Sequence, residues 1–478
     1  MGKSKVLKNY IYNTAYQILV LIAPLITAPY VSRILGASGI GIYSYAQSIV
    51  TYFILFGTVG SSLYGQREIA YCQDKPEERS RIFYEIIFLR FITVFISTVI
   101  YFFVFAEGEE YRTVYRILII DLIASAFDIT WLFQGMENFK KIVIRNAIVK
   151  LLSICSIFIF VRESSDIAIY TACLSLPTLI ANLSLWFYLP QYLVKIKFSI
   201  KNIKKHLLPI FMLFIPQIAM EIYTVMDKTM IGIFAISVAE VGYYTQSQKI
   251  VKIVLQIVTS LGTVMLPAMA AIFASGDKER VINTISKAFK TMFFIGFPMM
   301  FGLMGITENM VPWFFGNGFQ PVVILMVLAS PMLVVVGISN VIGMQYLLPT
   351  NKQNVFTISV VTGAVVNFIL NIILIPKCNS LGATIATLIA EIVVSLVQIY
   401  VVRKDLPITK IFKQSVRYLI MGVIMGLAVY AVGIPFGATI IGTLVQIIIG
   451  VLVYIAELII IKDSFFFEIV GIVKNKIK

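Results

Sequence analysis

Apolar segments of about twenty residues follow one another along the whole chain, broken only by short polar joints. Leu21 to Tyr30, Ile82 to Phe105, Ile142 to Phe160 and Ile440 to Ile461 are typical. A helix rises ~1.5 Å per residue, so ~20 apolar residues cross a hydrocarbon core of roughly 30 Å. The pattern predicts an all-α integral membrane protein of fourteen spans, at 9–32, 41–65, 82–106, 112–134, 141–161, 167–190, 207–235, 241–272, 286–306, 320–348, 355–376, 380–402, 415–434 and 438–461. The first apolar run is too long for a secretion signal and no small-residue cleavage site follows, so it reads as a retained span.

An internal repeat divides the pattern. Gly41, Tyr43, Gln47, Ile49 and Val50 recur as Gly242, Tyr244, Gln248, Ile250 and Val251, at a constant offset of 201. Both segments open the second span of a half, and prolines recur in the preceding spans: Pro24 and Pro29, then Pro209 and Pro216. Six spans separate the copies, so both have one orientation and their pseudo-twofold axis runs along the membrane normal. The expected organisation is an N-lobe over 1–191, a basic linker over 192–206, a C-lobe over 207–403, and two further spans with a tail over 404–478. Two like bundles facing each other across a central cleft suit alternating-access transport.

Composition adds that no long region has soluble character, with 59% hydrophobic residues and a mean hydropathy of +0.91. The net charge of +15 invites nucleic acid as a partner, but its distribution argues against that. With a cytoplasmic N-terminus, 29 of the 39 Lys and Arg residues fall on one side, among them Arg67, Arg79, Lys141, Arg145, the Lys195–Lys205 cluster, Lys404 and Arg417. The opposite side holds only Arg33, Arg112, Arg116, Arg162 and Lys377, beside acids such as Glu107, Glu109 and Glu110. This asymmetry puts both termini in the cytoplasm and assigns the basic excess to orientation and anionic lipid headgroups. No loop has room for a catalytic domain, and no GxxxxGK[ST] sequence occurs. Cys72, Cys155, Cys173 and Cys378 lie far apart without CxxC spacing, which speaks against a disulfide framework or a metal site. His206, the only histidine, follows Lys204 and Lys205 in a basic loop, which excludes a buried proton relay built on histidine. Trp131, Trp186 and Trp313 fall where interfacial anchors belong.

Five basic residues remain inside spans: Arg90, Lys150, Lys228, Lys249 and Lys252. The intramembrane acids are Asp121, Asp128, Glu221, Asp227, Glu391 and Glu457. A charge at mid-membrane costs at least ~2.5–3.5 kcal/mol, so each needs a partner or a watery cavity. Glu221 and Lys228 are seven apart, as are Asp121 and Asp128, so each pair shares a helix face over two turns. Asp227 lies downstream of Pro216, whose missing N–H loosens the backbone, and a carboxylate there could couple Na⁺ or a proton to movement. The alternative is structural ion pairs stitching helices together, and for any single residue the two stand level. Asn367 and Asn371, four apart, suit interhelical hydrogen bonding.

Several stretches resemble a known family: Pro29 to Gly36, Gly39 to Tyr45, Tyr64 to Ala70, Asp128 to Gly135, Val225 to Gly232 and Val366 to Asn371. They are similar to oligosaccharide repeat-unit flippases, the polysaccharide transporters of the multidrug/oligosaccharidyl-lipid/polysaccharide (MOP) superfamily. The resemblance implies a fourteen-span, two-lobed fold whose cationic cleft takes up a polyprenyl-diphosphate-linked oligosaccharide and flips it to the outer leaflet of a bacterial plasma membrane, often with ion coupling. It carries roles onto Arg33, Arg67, Asp128, Asp227 and Lys228. The expected substrate contacts are thus Arg33, Arg67, Arg90, Lys150, Lys228, Lys249 and Lys252, and the ion-coupling residues Asp128, Glu221, Asp227 and Glu391, with no metal and no cofactor beyond a coupling Na⁺ or H⁺. Membrane lipids, a polysaccharide polymerase and glycosyltransferases are the implied partners. A teichoic-acid precursor flippase, a drug/cation antiporter of the same superfamily and, last, a membrane polymerase are the alternatives; the short loops weigh against an enzyme.

Overall fold

The structure is a computed structural model that describes residues 3–108, 110–196 and 203–477. Glu109, the stretch 197–202 of the basic linker and the side-chain surroundings of Pro216 lie outside the described residues. Every regular element among the described residues is helical. Among the described residues, ten stretches are long and apolar enough to cross a membrane, against the fourteen expected. Two of the ten contain a break that the apolar pattern also marks. Helix α1 (Lys3–Thr58) turns at Gly36, φ 65° and ψ −177°, between the expected first and second spans. Helix α13 (Gln353–Val402) turns at Asn379, φ 51°, between the eleventh and twelfth. Positive φ is open to glycine and tolerated by asparagine, which is why these two residues stand there.

The chain forms two compact units, 1–245 and 246–478. The first contains α1, α2 (Ser61–Tyr71), α3 (Pro76–Tyr101), α4 (Arg112–Ala126), α5 (Thr130–Gly135), α6 (Phe139–Phe160), α7 (Ile167–Trp186), α8 (Lys204–Phe234) and the start of α9 (Ala239–Ala274). Its core gathers Ile69, Phe83, Ile86, Trp131, Leu132 and Phe133. Trp131 is therefore no interfacial anchor: it is fully buried, stacked on Phe83 with ring centroids 5.4 Å apart. Gly65 makes room for it, since a Cβ at Gly65 would lie 2.5 Å from the indole. His206 is no loop residue either; it sits in the first turn of α8, 2% exposed. Apolar side chains such as Phe95, Ile96 and Phe103 remain exposed on the outer face of the α3 stretch, as lipid contact requires.

The glycines of the internal repeat meet within this unit. A Cβ on Gly41 would fall 2.0 Å from the carbonyl oxygen of Val238, and one on Gly242 would fall 2.0 Å from that of Ala37. Backbones approach so closely only where both helices carry glycine. On α8, Gly232 leaves space for Tyr45, whose ring a Cβ would meet at 2.1 Å.

The second unit contains the rest of α9, α10 (Lys278–Phe315), α11 (Pro321–Ala329), α12 (Met332–Ile342), α13, α14 (Ile408–Phe436), α15 (Ile440–Ile460) and α16 (Ser464–Ile477). Helices α10 and α14 pack along their lengths, with Gly422 and Gly426 fitted against Phe297 and Phe301. Asn367 donates to Thr387 Oγ1 at 3.3 Å and Asn371 to Asn367 Oδ1 at 3.1 Å, so this pair does join the two halves of α13. Asp463, 1% exposed, pairs with Arg417 at 2.9 Å and accepts from the N–H groups of Phe465 and Phe466, which fixes the start of α16.

Candidate functional site: a charged cavity among apolar helices

Four elements of the first unit line an open cavity of about 510 Å³. Helix α1 contributes Tyr43 and Gln47, α4 and the turn after it Asp121 and Asp128, α6 Arg145 and Lys150, and α7 Asn182. Two carboxylates and two cations thus share one hollow inside a bundle whose outside is apolar. Asp121 has Gln47 and Ser175 beside it. Arg145 reaches Asn182 Oδ1 at 3.2 Å and Asn146 Oδ1 at 3.0 Å from its Nε, while Asn182 donates to the Ala124 carbonyl at 2.7 Å. This side of the wall is therefore hydrogen-bonded, as groups withdrawn from water usually are, while Gln47 Oε1 and Ser175 Oγ are buried without a hydrogen-bond partner among the described residues.

Asp128 belongs to this wall, but not as two turns of one helix with Asp121. Helix α4 ends at Ala126, and the Asp128 carboxylate accepts from the Thr130 N–H at 2.9 Å where α5 begins. The turn is held from outside by Trp186, whose Nε1 donates to the Phe127 carbonyl at 2.9 Å. Arg90 stands behind the cavity, 2% exposed, and donates to the Ser125 carbonyl at 2.8 Å and to Ser62 Oγ at 2.9 Å. A cation on the last carbonyls of α4 is favourably placed against the helix dipole.

The expected site residues divide accordingly. Asp128 and Lys150 line one cavity and Arg90 braces it. Asp227, buried on α8, accepts a hydrogen bond from Tyr244, the repeat partner of Tyr43. Close by on α8, Thr229 donates to Ser48 Oγ at 2.8 Å and ties this stretch to α1. Glu221 and Lys228 are half-buried on α8; Arg33 is exposed on α1, and Arg67 is exposed on α2 and paired with Glu68 at 2.9 Å. Lys249, Lys252 and Glu391 belong to the second unit. Sequence reasoning missed Arg145, Asn146 and Asn182. Arg145 was counted with the cytoplasmic loop cations, yet it lies two turns into α6 and faces the hollow.

The second unit has a cavity of opposite character, about 460 Å³, lined by Pro298, Met299, Leu303, Met425, Val429 and other apolar side chains, with Gln446 among them. Among the described residues no group of three His, Cys, Asp or Glu side chains gathers to hold a metal ion.

Residues 6–273 match the family model described as "Polysaccharide biosynthesis protein". The chain is 24% identical over 409 residues to the "Putative O-antigen transporter" of Escherichia coli (strain K12), covering 84% of this chain and 98% of that protein. It is similar in fold to a solved structure of the lipid II flippase MurJ in an inward closed conformation, with a TM-score of 0.76 at 19% identity, over 96% of this chain and 100% of that one. An inward-facing MATE family multidrug transporter of the MOP superfamily follows at a TM-score of 0.59 and 14% identity, over 82% of this chain and 99% of that one.

Proposed function

We propose that this chain, which belongs to the polysaccharide biosynthesis protein family, is a flippase for a lipid-linked glycan in a membrane and not an enzyme. The observation that carries this reading is the cavity holding Asp121, Asp128, Arg145 and Lys150 among lipid-facing helices. Each such charge costs at least ~2.5–3.5 kcal/mol in hydrocarbon, so a hollow lined with both signs is an aqueous compartment. Hydrated sugars and phosphates need that compartment to cross oil, whereas a lipid tail does not. The names of the relatives, an O-antigen transporter and a lipid II flippase, favour the same class of cargo.

In finer terms, the cargo is a polyprenyl-diphosphate-linked oligosaccharide repeat unit for capsular or exopolysaccharide synthesis, moved from the inner to the outer leaflet of the plasma membrane by alternating access. Arg33, Arg67, Arg90, Lys150, Lys228, Lys249 and Lys252 supply counter-charge to the diphosphate, which guanidinium and ammonium groups suit. Asp128, Glu221, Asp227 and Glu391 couple Na⁺ or H⁺. The asymmetry of Lys and Arg supports cytoplasmic termini. Glycosyltransferases would act before the transfer and a polymerase after it.

The purified chain in liposomes should equilibrate a fluorescent polyprenyl-diphosphate oligosaccharide between leaflets without ATP. Retention of the label in one leaflet would overturn the reading. Transfer of a teichoic-acid precursor instead, or export of an organic cation alone, would redirect it to the corresponding relative class. The coupling role has its own check. Asparagine at Asp227 keeps an acceptor for the Tyr244 hydroxyl and removes the charge, with an NH2 donor in place of the second oxygen. The Asp227→Asn chain should therefore fold normally and lose the dependence of transfer on Na⁺ and pH; if that dependence is unaltered, Asp227 is not the coupling group.

A further inference from the structure

Tyr64, Glu85 and His206 form a closed polar cluster away from the charged cavity, inside the core of the first unit. His206 Nε2 lies 2.7 Å from Glu85 Oε2, and His206 Nδ1 lies 2.7 Å from the Tyr64 hydroxyl. Glu85 on α3 is 0% exposed, Tyr64 on α2 5% and His206 on α8 2%. Lys205 brings a second cation to the same Glu85 oxygen at 2.9 Å, from a side chain that is 51% exposed. The other oxygen, Glu85 Oε1, is buried without a hydrogen-bond partner among the described residues. From α2, Arg67 lies over the Tyr64 ring at 5.3 Å and is itself paired with Glu68 at 2.9 Å. Tyr64 also belongs to the apolar cluster that includes Ile82, Phe83, Ile86 and Ile210.

We propose that His206, Glu85 and Tyr64 form a proton-binding site whose occupancy sets how firmly the first turn of α8 is seated on α2 and α3. With both ring nitrogens protonated, Nε2–H donates to Glu85 and Nδ1–H to the phenol oxygen. When one proton leaves to solvent, Nε2–H still donates to Glu85, and the Tyr64 hydroxyl rotates to donate to Nδ1. Both hydrogen bonds survive the change, so the fold does not depend on it. What changes is the charge. The imidazolium is a full counter-charge for a carboxylate that water does not reach. Without it Glu85 keeps only Lys205, whose exposed ammonium is screened. A buried carboxylate short of a partner is costly, so α8 is held tightly when the proton is bound and loosely when it is lost. Imidazole is the side chain whose ordinary titration spans physiological pH. All three side chains lie within the first unit.

The test reads structure, not transport. In the full chain with its four cysteines replaced by serine, Arg81→Cys and Leu208→Cys place spin labels at exposed positions of α3 and α8. Pulsed electron resonance in lipid nanodiscs then gives the label-to-label distance distribution at about pH 5.5 and about pH 8.5. The distribution should broaden about twofold at the higher pH as the turn loosens. His206→Gln retains a donor and an acceptor but binds no proton, and should erase the difference. Glu85→Gln should erase it as well, by removing the charge the proton answers. Tyr64→Phe should shrink it, since the protonated ring loses an acceptor. A parent distribution that ignores pH overturns the proposal without any variant, and so does a full pH response surviving in His206→Gln.

Discussion

Lys150→Met is expected to slow transfer of the lipid-linked sugar between leaflets by about ten- to a hundredfold, with the folded protein otherwise intact. Lys150 is one of two cations set against two carboxylates in the cavity of the first unit, so its loss tips that hollow negative. A unit charge pair ~4 Å apart at an effective dielectric of ~20 is worth ~4 kcal/mol. Water in the cavity and the retained Arg145 reduce the net effect to roughly 1.4–2.8 kcal/mol, which corresponds to the stated range. Methionine keeps the length and apolar stem of lysine, so packing near Val149 and Ser153 should hold. Asp121→Asn tips the balance the other way and should tighten binding of the phosphorylated cargo. The measurement is the initial rate of leaflet exchange in liposomes at equal protein content. Equal rates for the parent and Lys150→Met would remove this cavity from the transport path.

Gly242→Ala is expected to rank with Gly41→Ala among the costliest single methyl additions in the first unit. Its Cβ would sit 2.0 Å from the Ala37 carbonyl oxygen, and 2.9 Å and 3.1 Å from two more backbone atoms of the same residue. Overpacking costs roughly 1–3 kcal/mol where side chains can adjust; here the obstacle is main chain, so the upper end or beyond applies. Gly41→Ala meets the Val238 carbonyl in the same way. Gly471→Ala is the control: it lies in α16 with nothing within 4 Å of its Cβ. That substitution should stabilise slightly, since alanine is favoured over glycine in helices by roughly 1 kcal/mol. Thermal unfolding of the detergent-solubilised proteins orders the three, and a Gly242→Ala midpoint equal to that of Gly471→Ala would show the helices to be further apart.

The fold was legible because a bilayer imposes a coarse rule, apolar length, that the chain obeys throughout. The breaks at Gly36 and Asn379 fall in the short gaps that the apolar pattern left between expected spans. The repeat at an offset of 201 was also legible, and its glycines prove to be mutual contacts. The site was less so. Spacing placed Asp121 and Asp128 on one helix face, but α4 stops at Ala126 and a turn delivers Asp128 to the same cavity. Charge counting sent Arg145 and His206 to loops because each stands near lysines. Tertiary packing draws both inward, Arg145 onto Asn182 and His206 between Tyr64 and Glu85. Trp131 was misplaced for the same reason: amphipathic rings are usual at interfaces, but Gly65 opens a slot that burial fills. Which helix faces meet is not encoded in local periodicity.

The snug fit of Tyr45 over Gly232 has a genetic consequence that the Gly242 contact lacks. A strain crippled by Gly232→Ala should yield revertants at codon 45, where a smaller residue removes the colliding ring. Selection from Gly242→Ala should return no such allele at codon 37, because every amino acid brings the same carbonyl oxygen.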